Sequence, residues 1–268
     1  YPGTTVIKLE ENYRSTQNIL TAAGNVVREN RSRNEKTLWT QNEKGDPVIC
    51  YRAEDETSEA EFVCDRIQSL CQEDGFSFNE IAILYRTNAQ SRVMEDMLRK
   101  AAIPYQVIGG LRFYERKEIK DVLAYMRVLI NPDDSVSLKR IVNVPARGIG
   151  KTSLEKVEAF CEKKSITLLQ GLRQVGQERL LGTAATGKIG NFISILDHLD
   201  SVYRQSNPLE LLTEVIDRSG YATMLKNEDT RESKGRMENL NELYSAVEQL
   251  VENENGTLRE FLDSTALV

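Results

Sequence analysis

The sequence predicts an α/β layer built on a largely parallel sheet with flanking helices, followed by an all-helical region. Two observations carry this prediction. Up to residue 110, short β-branched or apolar runs alternate with segments whose apolar residues recur every three to four positions, as in strands joined by crossover helices. Beyond residue 118, strand-like alternation stops and only the helical period continues.

Residues 4–9, Thr-Thr-Val-Ile-Lys-Leu, read as a short buried strand. From Ser15 a helical pattern runs through Ile19, Leu20, Ala23, Val26 and Val27. Residues 30–45 are polar apart from Leu38 and Trp39 and read as loop, and residues 47–51 as a second strand. Residues 59–71 set Ala60, Val63, Ile67 and Leu70 on one helical face. The unbroken apolar run 81–85 reads as a strand buried on both faces. Residues 91–100 form a helix carrying Val93, Met97 and Leu98, and 105–108 a last strand closed by Gly109 and Gly110. Behind it lie helical stretches at 119–130, 154–161, 189–203, 209–219 and 237–250. A boundary near 110–115 divides the chain into domains 1–113 and 114–268.

With 268 residues, 40% of them hydrophobic and 28% charged, the chain can bury a sizeable core, which excludes disordered and collagen-like classes. No apolar run approaches the roughly 20 residues of a membrane helix, so no membrane partner is expected. Four cysteines without CxxC spacing suggest neither a zinc ribbon nor a disulfide framework and fit a reduced, cytoplasmic protein. The single histidine, His198, excludes multi-histidine metal sites and argues against Ser-His-Asp or Cys-His chemistry. The start at Tyr1-Pro2-Gly3 and the stop within an apolar run lead us to expect a piece of a longer polypeptide.

The net charge is −6, yet residues 136–152 hold Lys139, Arg140, Arg147 and Lys151 and no acid. Phosphate contact depends on the local field, so an acidic chain can still bind nucleic acid there; a solvated basic face is the alternative. Within this stretch Gly148-Ile149-Gly150-Lys151-Thr152 ends like a phosphate-binding P-loop, G-x-x-x-x-G-K-[ST]. Its first glycine would fall at 145, which is Pro. Proline has no N–H to offer a phosphate, so a self-contained P-loop NTPase is the weaker alternative. A tight Gly-x-Gly hinge between two helices, as in helix-hairpin-helix DNA-binding elements, fits better, with an ordinary interhelical turn as its rival. In the hinge reading Gly148 and Gly150 adopt positive φ and let the backbone approach closely. The first-turn amides of the second helix face a phosphate, Arg147, Lys151 and Thr152 add contacts, and Ile149 anchors the hairpin in the core.

Two further segments follow expected strands, where α/β sheets place ligand residues. In Leu9-Glu10-Glu11-Asn12-Tyr13-Arg14-Ser15-Thr16, Tyr13 offers a stacking face and Arg14 a donor fork. Arg86-Thr87-Asn88 could present a guanidinium and an amide. Taken alone, each reads better as a helix entry or a polar loop.

Together these segments resemble the superfamily 1A DNA helicases of the UvrD/PcrA/Rep family, most of all its PcrA branch. Residues 9–15 resemble motif IV. Residues 81–92, Ile-Ala-Ile-Leu-Tyr-Arg-Thr-Asn-Ala-Gln-Ser-Arg, resemble the following segment of domain 2A. Residues 109–121, Gly-Gly-Leu-Arg-Phe-Tyr-Glu-Arg-Lys-Glu-Ile-Lys-Asp, resemble the 2A–2B junction, and residues 143–152 the GIG element of 2B. The order and spacing match over essentially the whole chain. The resemblance implies a partial RecA-like domain 2A followed by most of helical domain 2B. It implies that Tyr13 stacks on the adenine of ATP, that Arg14 reaches the γ-phosphate as the catalytic arginine, and that Arg86 and Asn88 contact single-stranded DNA. The GIG segment would rest on duplex DNA while ATP-driven cleft closure steps the enzyme 3′ to 5′ in repair or replication. No Walker A segment or acidic Mg²⁺ site is visible, so Mg²⁺ ligands are expected in domain 1A. Domains 1A and 1B and the rest of 2A would be partners, and the chain alone would not hydrolyse ATP. A non-catalytic DNA- or protein-binding module is the runner-up.

Overall fold

The computed structural model describes residues 5, 7–30, 36–108, 110–254 and 257–266. By compactness it divides into residues 1–59 and residues 60–268, so the change of texture near residue 110 falls inside the second unit.

The first unit is organised around helix α1 (Gln17–Arg28). The chain folds back on it through polar side chains: Asn18 Nδ2 donates to the carbonyls of Gly45 (2.8 Å) and Asp46 (3.1 Å), and Asn42 Nδ2 to that of Ser15 (3.2 Å). Gly45 has φ +70° and lies so close to Thr16 that a Cβ would clash at 2.5 Å, so the turn requires glycine. A single parallel bridge pairs Glu11 with Trp39. Helix α2 (Glu56–Gln72) begins in this unit and runs into the second.

In the second unit α2 packs with α3 (Ser91–Lys100), burying Cys64, Ile67, Leu98 and Ile103 in a small cluster. The main core surrounds α4 (Lys117–Ile130), which buries residues on every face, from Ile119 and Val122 to Tyr125 and Met126, as a helix enclosed by others must. Around it stand α5 (Ser135–Ile141), α8 (Thr183–Gln205), α9 (Pro208–Arg218), α11 (Arg231–Glu254) and α12 (Leu258–Ala266). Helices α6 (Lys151–Lys164), α7 (Leu168–Gln174) and α10 (Tyr221–Glu228) complete the layer. The helix starts follow local chemistry. Asp134 accepts from the Ser137 amide (2.9 Å) to begin α5, and Asn207 accepts from the Leu209 and Glu210 amides ahead of Pro208 to begin α9.

Helices α1 to α4, α6, α8, α9 and α11 cover the stretches where the periodicity predicts them, α7, α10 and α12 do not follow from it, and the α/β expectation is overturned. Among the described residues there is no strand and no sheet, and the architecture is all-helical. Of the expected strand 4–9, Thr4 and Val6 lie outside the described residues, while Ile7 and Leu9 are both 81% exposed. In 47–51, Val48, Ile49 and Tyr51 are exposed. In 81–85 and 105–108 burial alternates: Ile81, Ile83, Tyr105 and Val107 are half-buried, whereas Leu84 and Ile108 face out. Parallel strands need a ladder partner on at least one edge and cover on both faces. Among the described residues these apolar runs form no ladder, so strand propensity goes unrealised. Gly109, expected to close the last strand, lies outside the described residues.

Leu138, fully buried on α5 against α4, makes the main core testable. Leu138→Ala is expected to cost about 2–5 kcal/mol, because the cavity cannot collapse between two packed helices. Urea denaturation should show a lower midpoint at unchanged slope.

Candidate nucleic-acid interface

The segment between α5 and α6 is built from the inside out. Ile149 is buried in the main core and anchors the loop, while Gly148 and Gly150 on either side are exposed. Gly148 has φ +70°, a backbone conformation that favours glycine, and the nearest atom to a Cβ there would be the mobile end of Lys188 (Nζ, 2.6 Å), so it is the backbone that demands glycine. Gly150 departs from expectation. Its φ of −79° and ψ of 160° are ordinary extended values, and it serves as the N-cap of α6. That cap brings no side-chain acceptor and the first turn holds no acid; the Gly150 carbonyl takes the Ser153 amide (3.0 Å), which leaves the amides of Lys151 and Thr152 for an outside acceptor.

The turn is held by Asn143, whose Oδ1 accepts from the amides of Arg147 (2.8 Å) and Ile149 (3.1 Å). In a P-loop, amides of this kind would converge on a phosphate. Here a side-chain oxygen occupies them, which argues against nucleotide binding by the loop itself. Arg147 is half-buried and turned inward. Its Nη1 donates to the carbonyls of Ile141 and Pro145 (both 3.1 Å), and its Nη2 to Tyr125 Oη (2.6 Å) and the Ser219 carbonyl (2.9 Å). The guanidinium also lies 5.3 Å from the Phe192 ring centroid. Burial pushes the Tyr125 phenol up to about 12, so it stays protonated and donates to the Val144 carbonyl (2.7 Å).

The basic stretch seen in the sequence is thus divided. Lys139 pairs with Glu158 (2.5 Å), Arg140 with buried Asp121 (2.7 Å), and Arg147 is used inside. Lys151 alone of the four stands out, its side chain 90% exposed with only a 3.8 Å contact to Glu155, and Thr152 beside it is exposed. A cation that sequence reasoning missed joins them. Lys188 of α8 donates to the Gly148 carbonyl (3.2 Å), and no local pattern links a lysine on a distant helix to this loop.

The second expected site is also on the surface. Arg86 and Asn88 are exposed at the start of the 3-10 turn Asn88–Gln90. Gln90 Oε1 accepts from the amides of Arg86 (2.9 Å) and Thr87 (3.0 Å), and Arg116 Nη1 donates to the Asn88 carbonyl (2.9 Å). The backbone is held from within while both side chains face solvent.

In the first unit, Asn12 Oδ1 accepts from the amides of Arg14 (3.0 Å) and Ser15 (2.8 Å), a side-chain turn that throws Tyr13 and Arg14 outward. Tyr13 is 79% exposed, and Arg14 is exposed. The Tyr13 hydroxyl donates to Glu11 (2.7 Å), which raises its pKa and keeps the ring neutral. Ring and guanidinium of this pair both stand at the surface of the first unit. A cavity of about 640 Å³ opens between α1 and residues 36–40, lined by Leu20, Val27, Leu38 and Trp39 among others, but neither Tyr13 nor Arg14 lines it. No group of three or more His, Cys, Asp or Glu suited to a metal ion occurs among the described residues. No helix among them is long and apolar enough to cross a membrane.

Residues 7–268 match the family model described as the UvrD-like helicase C-terminal domain. The ATP-dependent DNA helicase PcrA of Bacillus subtilis (strain 168) is 42% identical over 269 residues, an alignment covering all of this chain and 36% of that protein. The PcrA proteins of Staphylococcus epidermidis (strain RP62A) and Staphylococcus aureus (strain Mu50) are 42% and 41% identical, again over the whole chain and 37% of each relative. The chain thus spans little more than a third of the curated relatives it matches.

Asn143→Ala would leave two half-enclosed amides without their acceptor. It is expected to cost about 1–3 kcal/mol in urea unfolding. Asn143→Asp, which keeps the acceptor oxygen, should cost less.

Proposed function

We infer function from the fact that this chain belongs to the UvrD-like helicase C-terminal domain family. We propose that it is part of an ATP-dependent 3′–5′ DNA helicase acting in repair or replication. In this reading it supplies half of an ATP site, a single-strand contact and a duplex-binding corner, with residues 1–113 and 114–268 as its two functional divisions. The companion segments would be domains 1A and 1B and the rest of 2A, which would also hold Mg²⁺.

The observation that carries the reading is the α5–α6 corner. An apolar anchor is driven into the core, glycine backbone lies outside, and a helix start with no side-chain cap stands beside the exposed Lys151 ammonium, only loosely paired with Glu155, and the Thr152 hydroxyl. Such a surface suits a phosphate backbone and carries no base information. Gly148, Gly150, Lys151 and Thr152 are the proposed duplex contacts. Arg147 acts one layer deeper, holding the corner's shape. Arg86 and Asn88 are the proposed single-strand contacts.

ATP hydrolysis would supply the free energy for stepping. Tyr13 presents an exposed ring for an adenine to stack on, and Arg14 a guanidinium for a terminal phosphate, where positive charge stabilises the transferring phosphoryl group. Asn12 aims both residues, and Glu11 fixes the tyrosine hydroxyl.

Two outcomes test this. Gly150→Pro removes one amide at a φ that proline accepts, and Thr152→Ala removes one hydroxyl. Each is expected to weaken duplex binding about three- to tenfold in fluorescence anisotropy, with single-strand binding nearly unchanged; equal loss on both DNAs would count against a duplex-facing corner. In the whole enzyme, Arg14→Ala should slow ATP turnover by about 10³-fold and leave DNA affinity intact. Unchanged turnover would remove Arg14 from the site.

A further inference from the structure

The exposed turn carrying Arg86 and Asn88 is tied by buried polar bonds to α11, more than 100 residues further along the chain. The tie runs through Arg116, which is 7% exposed. Its Nη1 donates to the Asn88 carbonyl (2.9 Å) and to Asn239 Oδ1 on α11 (2.8 Å), and its Nη2 to Ser91 Oγ (2.7 Å). Asn239, itself buried, turns its amide to Glu118 Oε1 (2.6 Å). The Ser91 hydroxyl donates to Glu95 Oε1 (2.7 Å), and the Glu95 carboxylate also accepts from the Phe113 amide (3.1 Å). A second buried cation repeats the connection: Arg92 Nε on α3 meets Glu242 on α11 at 2.5 Å, and its Nη1 reaches Gln249 at 3.4 Å. Glu242 and Gln249 lie two turns apart on one face of α11.

A stability role alone would be met more cheaply by apolar packing, since a buried guanidinium must recover its lost hydration through well-placed acceptors. What the polar arrangement adds is direction. Arg116 forks to a backbone carbonyl of the surface turn on one branch and to a side chain of the long helix on the other. With Gln90 holding the amides of Arg86 and Thr87, the Asn88 backbone is fixed from both ends, and only the two outward side chains remain adjustable.

We propose that Arg116 and Asn239 are positioning residues that couple α11 to the single-strand contact, so that the helical body sets the geometry with which Arg86 and Asn88 meet DNA. The coupling rests on the reading of those two residues as the single-strand site. A shift of α11 reaches the turn through two hydrogen bonds on one guanidinium.

The test uses the full 268-residue chain, a labelled oligo(dT), a labelled duplex, and hydrogen exchange at residues 88–91. Asn239→Ala is expected to speed exchange there and to weaken oligo(dT) binding about five- to tenfold, with duplex affinity held within about twofold. Asn239→Asp alone sets a carboxylate against Glu118 and should show the same selective loss. Adding Glu118→Gln restores a donor–acceptor pair and should restore both exchange protection and affinity, which general destabilisation would not do. If Asn239→Ala fails to fold, the Asp/Gln pair decides. Arg86→Ala separates the two layers. Loss with Arg86→Ala but none with Asn239→Ala or Asn239→Asp would overturn the coupling and keep the single-strand site. No loss with Arg86→Ala would overturn the site itself. Equal loss on oligo(dT) and duplex, or failed rescue, would reduce the network to structural support.

Discussion

The inward-turned guanidinium of Arg147 is the constraint on which the α5–α6 corner depends. Four hydrogen bonds from one planar group close the end of α5, the Pro145 turn, the α4 phenol and the end of α9 onto each other. Because the fork is rigid and permanently charged, it holds these four points in one geometry, which a lysine could not do. The glycines outside then have little freedom left. Ile149 is pressed into the core and the start of α6 is turned toward solvent.

The same device recurs at the other surface site. Arg116 and Arg92 sit inside the second unit and hold α3, the 3-10 turn and α11 to one another. The protein therefore places inward-turned arginines behind both proposed contact surfaces and leaves smaller or more flexible groups in front: glycine backbone, Lys151 and Thr152 in one place, Arg86 and Asn88 in the other. Rigid support behind an adaptable contact lets a surface grip phosphates without reading sequence. It also means that the charge presented at this surface is less than composition suggests, since two of the four cations between residues 136 and 152 are closely paired with carboxylates and a third, Arg147, is turned inward.

Much of the helical framework was legible. Ile119, Val122 and Met126, or Leu211, Leu212 and Val215, repeat at the spacing of a buried helical stripe, and such spacing is a local property of the chain. The corner was legible in part: Gly148 does take positive φ and Ile149 does enter the core, because glycine and an isolated apolar residue between two glycines leave few alternatives. Gly150 was misjudged, since its role as an N-cap needs only extended backbone. The exposure of Tyr13 and Arg14 follows from Asn12, a turn former whose chemistry is visible in the string.

What the residues determined by themselves is whatever depends on near neighbours: helix periods, caps, the glycine hinge, and the order of motifs that marks the family. Tertiary structure alone decided the rest. Leu84 and Ile108 carry strand-like patterns yet lie open, because a strand exists only where another backbone answers its N–H and C=O groups. Whether a cation faces water or a carbonyl is decided by which distant segment arrives beside it. Arg147 meets Ser219, Arg116 meets Asn239, and Lys188 meets Gly148, all across separations over which sequence pattern carries no signal.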